Sequence, residues 1–141
     1  MSQIILTSLF NKLTAVQTAG TVYALVNGQI FQIEASQATE MPLVVFAMTN
    51  ESTTAFMSSA TASMHQSDVE FAIYSKASTS VVNAMEIEAA LFLLLHKASI
   101  TPSDASYSTI ELICTSRGVP TITVDSVRID TTYRIFATKH S

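Results

Sequence analysis

Hydrophobic and polar positions divide this chain into two helices and a set of strands. Stepping about 100° per residue puts Ile5, Leu6, Leu9, Phe10, Leu13 and Val16 on one arc, with Thr7, Ser8, Asn11, Lys12 and Thr14 opposite. That spacing predicts an amphipathic helix capped near Ser2 and ended by Gly20. Asn27-Gly28 supplies a turn that tolerates positive φ, and Gln29 to Ile33 reads as a short strand. Met41-Pro42 opens a second strand, Leu43 to Thr49, whose continuous apolar run predicts burial on both faces. Asn50 to Ser63 is rich in Ser, Thr and Ala and holds Phe56 and Met57, with Met64 just beyond. It reads as the tip of a long hairpin, or an arm. His65 to Tyr74 then alternates as a strand.

Ser78 to Lys97 predicts a long helix of unusual breadth. Only Asn83, Glu86, Ala90 and Lys97 form an arc free of large apolar groups. Covering one sheet needs an apolar stripe only a little over about 100° wide. This helix therefore packs on a sheet on one side, and on the first helix or another subunit on the other. Glu88 projects into its apolar arc, where an unpaired carboxylate is costly, so a partner such as Arg128 or Arg134 is expected.

Thr109 to Thr115 predicts a strand, Arg117 to Pro120 a turn, and Thr121 to Val124 a short strand or a continued loop. Val127 to Thr138 is the closing strand. Val127, Ile129, Thr131, Tyr133, Ile135 and Ala137 share one of its faces; Arg128, Asp130, Thr132, Arg134 and Phe136 share the other, where the charges are placed to pair. These elements sum to an α+β fold. A mixed, mostly antiparallel sheet is packed by two helices in the order α-β-β-β-α-β-β, with a hairpin arm at about residues 50–64, all in one domain spanning 1–141.

Composition sharpens this picture. Charged residues make up 13% of the chain, about half the usual share, while Ser and Thr together make up about a quarter. A hydroxyl-rich surface costs less to desolvate than an ionic one, and a positive mean hydropathy without a membrane span suggests apolar surface awaiting a partner. A well-packed monomer is the plainer alternative. Between Leu13 and Ser75 there is no Lys or Arg, and the basic Arg117, Arg128, Arg134 and Lys139 lie toward the C-terminus. No basic stripe with interleaved aromatics marks a nucleic-acid site.

Candidate chemistry is sparse. His65, His96 and His140 fall in no metal-ligand spacing, Gly20, Gly28 and Gly118 are too scattered for a phosphate loop, and no Gly-x-Ser-x-Gly elbow occurs. Cys114 is alone in an apolar run and reads as a buried thiol. Glu88 as a catalytic acid lacks a second group at a telling spacing. No catalytic, cofactor or metal site is expected, and with no signal sequence or membrane span the expected place of synthesis is the cytoplasm.

The order of elements resembles the tail-terminator (tail-completion) proteins of long-tailed bacteriophages and phage-like particles. The resemblance is carried by the N-terminal helix, by Gly28-Gln29-Ile30-Phe31, and by Met41-Pro42-Leu43-Val44-Val45-Phe46. It continues in the long hairpin, in the strand-to-helix run from Asp68 to Lys97, and in the alternating Arg128-Ile129-Asp130-Thr131-Thr132-Tyr133-Arg134. It implies a structural, non-enzymatic virion protein of the neck, built as a homo-oligomeric ring, usually a hexamer. The ring caps the tail tube, ends its growth and joins the tail to a head-side connector or stopper protein. DNA passes through its lumen without specific binding, and neither cofactor nor membrane is involved. Phe56, Met57, Met64, Glu88, Arg128 and Arg134 are the candidate interface residues, and acidic residues between Leu13 and Ser75 are expected at the lumen. Two rivals are another neck ring, such as a head-completion or adaptor protein, and a small-ligand or enzymatic domain using Glu88 and His96.

Overall fold

The computed structural model describes residues 2–32, 41–55, 63–76, 81–102, 110–123 and 126–139. The first helix, α1, runs Ser2–Ala15 and buries Ile5, Leu9 and Leu13, one residue per turn. Ser8 lies on the same buried face, where its hydroxyl donates to the Ile4 carbonyl at 2.7 Å. Val16, expected on this face, falls just past the helix and stands 46% exposed. A second helix, the single turn α2 (Val22–Leu25), is legible only in retrospect: Thr21 caps it by accepting from the Ala24 N–H. Asn27 and Gly28 follow with φ of 54° and 76°, the left-handed pair expected of the turn.

The strands are β1 (Ile30–Gln32), β2 (Leu43–Ala55), β3 (Ser63–Lys76), β4 (Ser99–Ile100), β5 (Ile110–Arg117), β6 (Thr121–Ile122) and β7 (Ser126–Lys139). They form one mixed sheet in the order β1-β2-β3-β7-β5-β4, with β6 also paired to β7; β1 and β2 are parallel and every other pair is antiparallel. β2 and β3 form a hairpin much longer than the run Leu43 to Thr49 predicted. Asn50 to Ala55 continue in strand register against Asp68 to Ser63, past a bulge at Thr49. Threonine suits the strand as well as the loop, so composition alone did not separate them. Of the expected arm at 50–64, Asn50 to Ala55 and Ser63 to Met64 are strand. Phe56 and Met57 lie outside the described residues, and Met64 is placed by its backbone alone, opposite Thr54 and Thr138.

Register explains the core. Val69 stands against Tyr133, Phe71 against Thr131 and Ile73 against Ile129, so the alternating apolar positions of β3 and β7 meet on one face. Val44 and Phe46 of β2 join them, and the Phe71 ring packs against Phe46 at 5.4 Å and edge-on to Tyr133 at 5.5 Å. Burial of β2 on both faces did not materialise, because the helices cover one side only. Val45 and Ala47, on the opposite side, are half-buried.

The long helix, α3, spans Val81–Leu95 and ends where Lys97 turns left-handed at φ 59°. Ala84, Ile87, Glu88, Leu91 and Leu95 face β3, β5 and β7. The helix beside α3 is chiefly α2, where the sequence pointed to α1. Its outer side keeps Val82, Met85 and Leu93 exposed, Leu93 by 84%.

Candidate assembly surfaces and the staple beneath α3

A connected group of polar side chains joins α3 to β5. Regular alternation from Ile110 would send Arg117 to the open side of the sheet. A bulge between Cys114 and Ser116 shifts the phase, so that Arg117 stands opposite the buried Thr131, on the helix side. There its Nε and one Nη donate to the two oxygens of Glu88, each at 2.6 Å. The Glu88 side chain is 10% exposed and that of Arg117 46%. Those bonds raise the Arg117 pKa further above its already high range. The expectation that Arg128 or Arg134 answers Glu88 is therefore corrected: the partner is Arg117, which the sequence placed in a turn.

The staple continues in layers. The Arg117 guanidinium lies 4.0 Å from the Phe92 ring centre, and Phe92 stacks on His96 at 4.5 Å with the planes 14° apart. His96 Nδ1 accepts the Cys114 N–H at 3.1 Å, and Thr131 donates to the Ser116 carbonyl at 2.9 Å, holding the bulge closed. Beneath it Tyr133 is fully buried, and burial pushes its hydroxyl well above the ordinary phenol range. Both oxygens of Glu88 and the Nδ1 of His96 are thus engaged in holding the fold. Among the described residues no three of His, Cys, Asp and Glu gather as a metal site, and no helix is long and apolar enough to cross a membrane.

Arg128 and Arg134 lie on the opposite, open face of the sheet. Arg128 donates to Asp130 at 2.8 Å and sits over the Tyr74 ring, and Arg134 reaches across to Asp68 at 3.1 Å. The row expected along β7 is split, with one pair inside the strand and one across to β3. Charges far apart in the sequence, acidic in β3 and basic in β7, become neighbours because register places Asp68 opposite Arg134.

Exposed apolar side chains mark a further surface. Val82, Met85 and Leu93 line the outer side of α3, and Val16 stands at the end of α1. Between Val16 and Leu93 lies a pocket of about 250 Å³, walled also by Val22, Ala90 and Leu94. Val119 and Ile122 are exposed beside β6. Sequence breadth foretold the α3 surface; nothing in the sequence marked Arg117 as its anchor.

No protein-family model matches the sequence, and no curated protein does. Among solved structures, a chain from the virion of a native gene transfer agent particle has a TM-score of 0.72 at 18% identity, over 96% of both chains. A second solved chain, of no stated function, has a TM-score of 0.63 at 11% identity, over 96% of this chain and 95% of its own. At these identities what is shared is the fold, along nearly its whole length.

Proposed function

We propose that this chain is a structural subunit of a phage or phage-like virion, and specifically a tail terminator. In this role copies form a ring, with six as the expected number, that caps the tail tube, stops its growth and joins the tail to the head-side connector. The observation that carries the proposal is the end-to-end likeness to a chain of a gene transfer agent virion, set beside a helix that leaves Val82, Met85 and Leu93 uncovered. A lone subunit gains nothing from that apolar side, whereas a ring buries it between neighbours. The single domain of 1–141 is then a ring-forming unit, located in the virion neck.

Against the enzymatic rival stands the two-point ion pair that ties Glu88 to Arg117, while the Nδ1 of His96 accepts the Cys114 N–H. A head-completion or adaptor ring differs from a terminator in its partner, portal in place of tail tube. DNA passing through the ring calls for a lumen that repels phosphate. Among the described residues the open face holds Asp68, Glu70, Glu111 and Asp130 against Lys76, Arg128 and Arg134, a surplus of one acidic residue in the direction that task requires. A solved ring whose channel is lined by the helix side of the sheet, with Arg117 in it, would refute this placement.

Light scattering of the purified chain, with imaging of the same peak, tests the proposal. A ring with an open channel, which binds tail-tube protein and stops its polymerisation, is the expected result. A chain that neither forms a ring nor binds the tube removes it. Replacing Phe56 and Met57 together by Ser is expected to weaken assembly while the subunit stays folded; normal assembly would take the hairpin tip out of the interface.

A further inference from the structure

The two edges of the sheet are finished differently. On the β5 side the chain consumes its own edge. Leu112 accepts from the Lys97 N–H and donates to the Ala98 carbonyl, and the next outward N–H, that of Cys114, is taken by His96. On the β2 side, β1 covers only Val44 to Phe46. Among the described residues no strand flanks β2 from there to Ala55, a run of about 30 Å at roughly 3.4 Å per residue.

Backbone direction along that run follows from one hydrogen bond. The Val44 N–H donates outward to the Gln29 carbonyl, so Ile73 opposite it faces away from β2. Orientation alternates along an antiparallel ladder, and β3 carries no break, so Ser67, His65 and Ser63 face away as well. Their partners Glu51, Thr53 and Ala55 therefore aim their N–H and C=O groups out of the sheet. Leu43 to Ala55 holds no Lys, Arg or Pro, the residues that ordinarily blunt an edge, and its one charge is Glu51.

We propose that this edge pairs with the same edge of a second copy, antiparallel about a twofold axis at Thr53. The second copy is the fitting occupant because it brings an unpaired run of equal length, which no other strand among the described residues offers. The register also sets Glu51 opposite Ala55 of the second copy, so the one charge on the run does not meet its own image. The contact goes beyond ring closure. A ring needs head-to-tail surfaces, whereas this one is isologous and joins two free subunits or two rings face to face.

Light scattering of Thr53→Lys, Thr53→Glu and their equimolar mixture tests it, with thermal melting as the control for folding. Each variant alone sets like charges opposite each other at the axis, and the mixture sets opposite ones there. The expected result is a wild-type mass of two subunits or of two rings, half that mass for each variant alone, and the wild-type mass restored in the mixture. Thr53→Pro, which removes an outward N–H without touching the ladder to β3, is expected to halve the mass too. Variants that keep the wild-type mass overturn the pairing, as does a mixture that fails to restore it. A wild-type single ring overturns the pairing and leaves the terminator proposal standing; a wild-type monomer overturns the pairing as well.

Discussion

Removing Arg117 is the sharpest test of the staple. In Arg117→Ala the Glu88 side chain, 10% exposed, keeps its place among apolar neighbours and loses both donors. Stranding one member of a fully buried pair costs about 3–5 kcal/mol. Arg117 is 46% exposed, so water reaches its end of the pair and reduces that figure to about 2 kcal/mol. Loss of the contact over Phe92 adds about 0.5–1 kcal/mol, for a total near 2–3 kcal/mol. At this chain length that corresponds to a fall in Tm of roughly 6–10 °C. Arg117→Lys keeps the charge but not the two-point geometry, and is expected to fall between wild type and alanine. The double variant Glu88→Leu with Arg117→Met, which removes both charges and keeps apolar bulk, is expected to recover most of the loss. Urea unfolding monitored by circular dichroism measures all four proteins. An Arg117→Ala variant within about 0.5 kcal/mol of wild type would refute the staple, because surface substitutions away from such features fall in that range. A double variant as unstable as Arg117→Ala would refute it equally.

The remaining predictions concern the core, the surfaces and pH. Leu91→Ala, at a fully buried site under α3, is expected to cost about 2–5 kcal/mol in the same urea assay. Gly118→Ala would set a Cβ against the Asp130 carbonyl oxygen, so β7 must shift; a loss of about 1–3 kcal/mol is expected, and an unchanged urea midpoint would refute the close approach. Met85→Ser with Leu93→Ser is expected to leave the subunit within about 0.5 kcal/mol of wild type while lowering the assembled fraction in light scattering. Tyr133 titrates higher in the folded chain than its unfolded value near pH 10, so it favours folding fully below about pH 10 and ceases to do so as pH climbs beyond that. Tyr133→Phe is accordingly expected to flatten the alkaline end of the stability profile, read from Tm against pH.

How much was legible follows from which positions obey a simple period. The strand β7 was readable because five apolar positions and Thr131 alternate from Val127 to Ala137, and the middle of β3 because Val69, Phe71 and Ile73 do the same. The helices were readable from their arcs, although α1 ends one residue before Val16 and so leaves outside a side chain that its arc had placed inside. What the pattern missed lies at two bulges, at Thr49 in β2 and between Cys114 and Ser116 in β5. A bulge inserts one residue without changing composition, so alternation beyond it points to the wrong face. Glu88 was matched to Arg128 or Arg134, both of which lie across the sheet, because the strand reading stopped at Thr115 and left Arg117 in a turn; the strand in fact runs through the bulge to Arg117 and delivers it to Glu88. The bulge also bears on the candidate site. Cys114 and Ser116, on either side of the bulge, are bound by His96 and Thr131, and the same displacement lets Arg117 brace the helix whose outer side stays open. An exposed apolar helix side is useful for assembly only if the helix does not shift to bury it. The staple supplies that rigidity from beneath, which links the least legible residue of the chain to the surface that its breadth of apolar positions had announced.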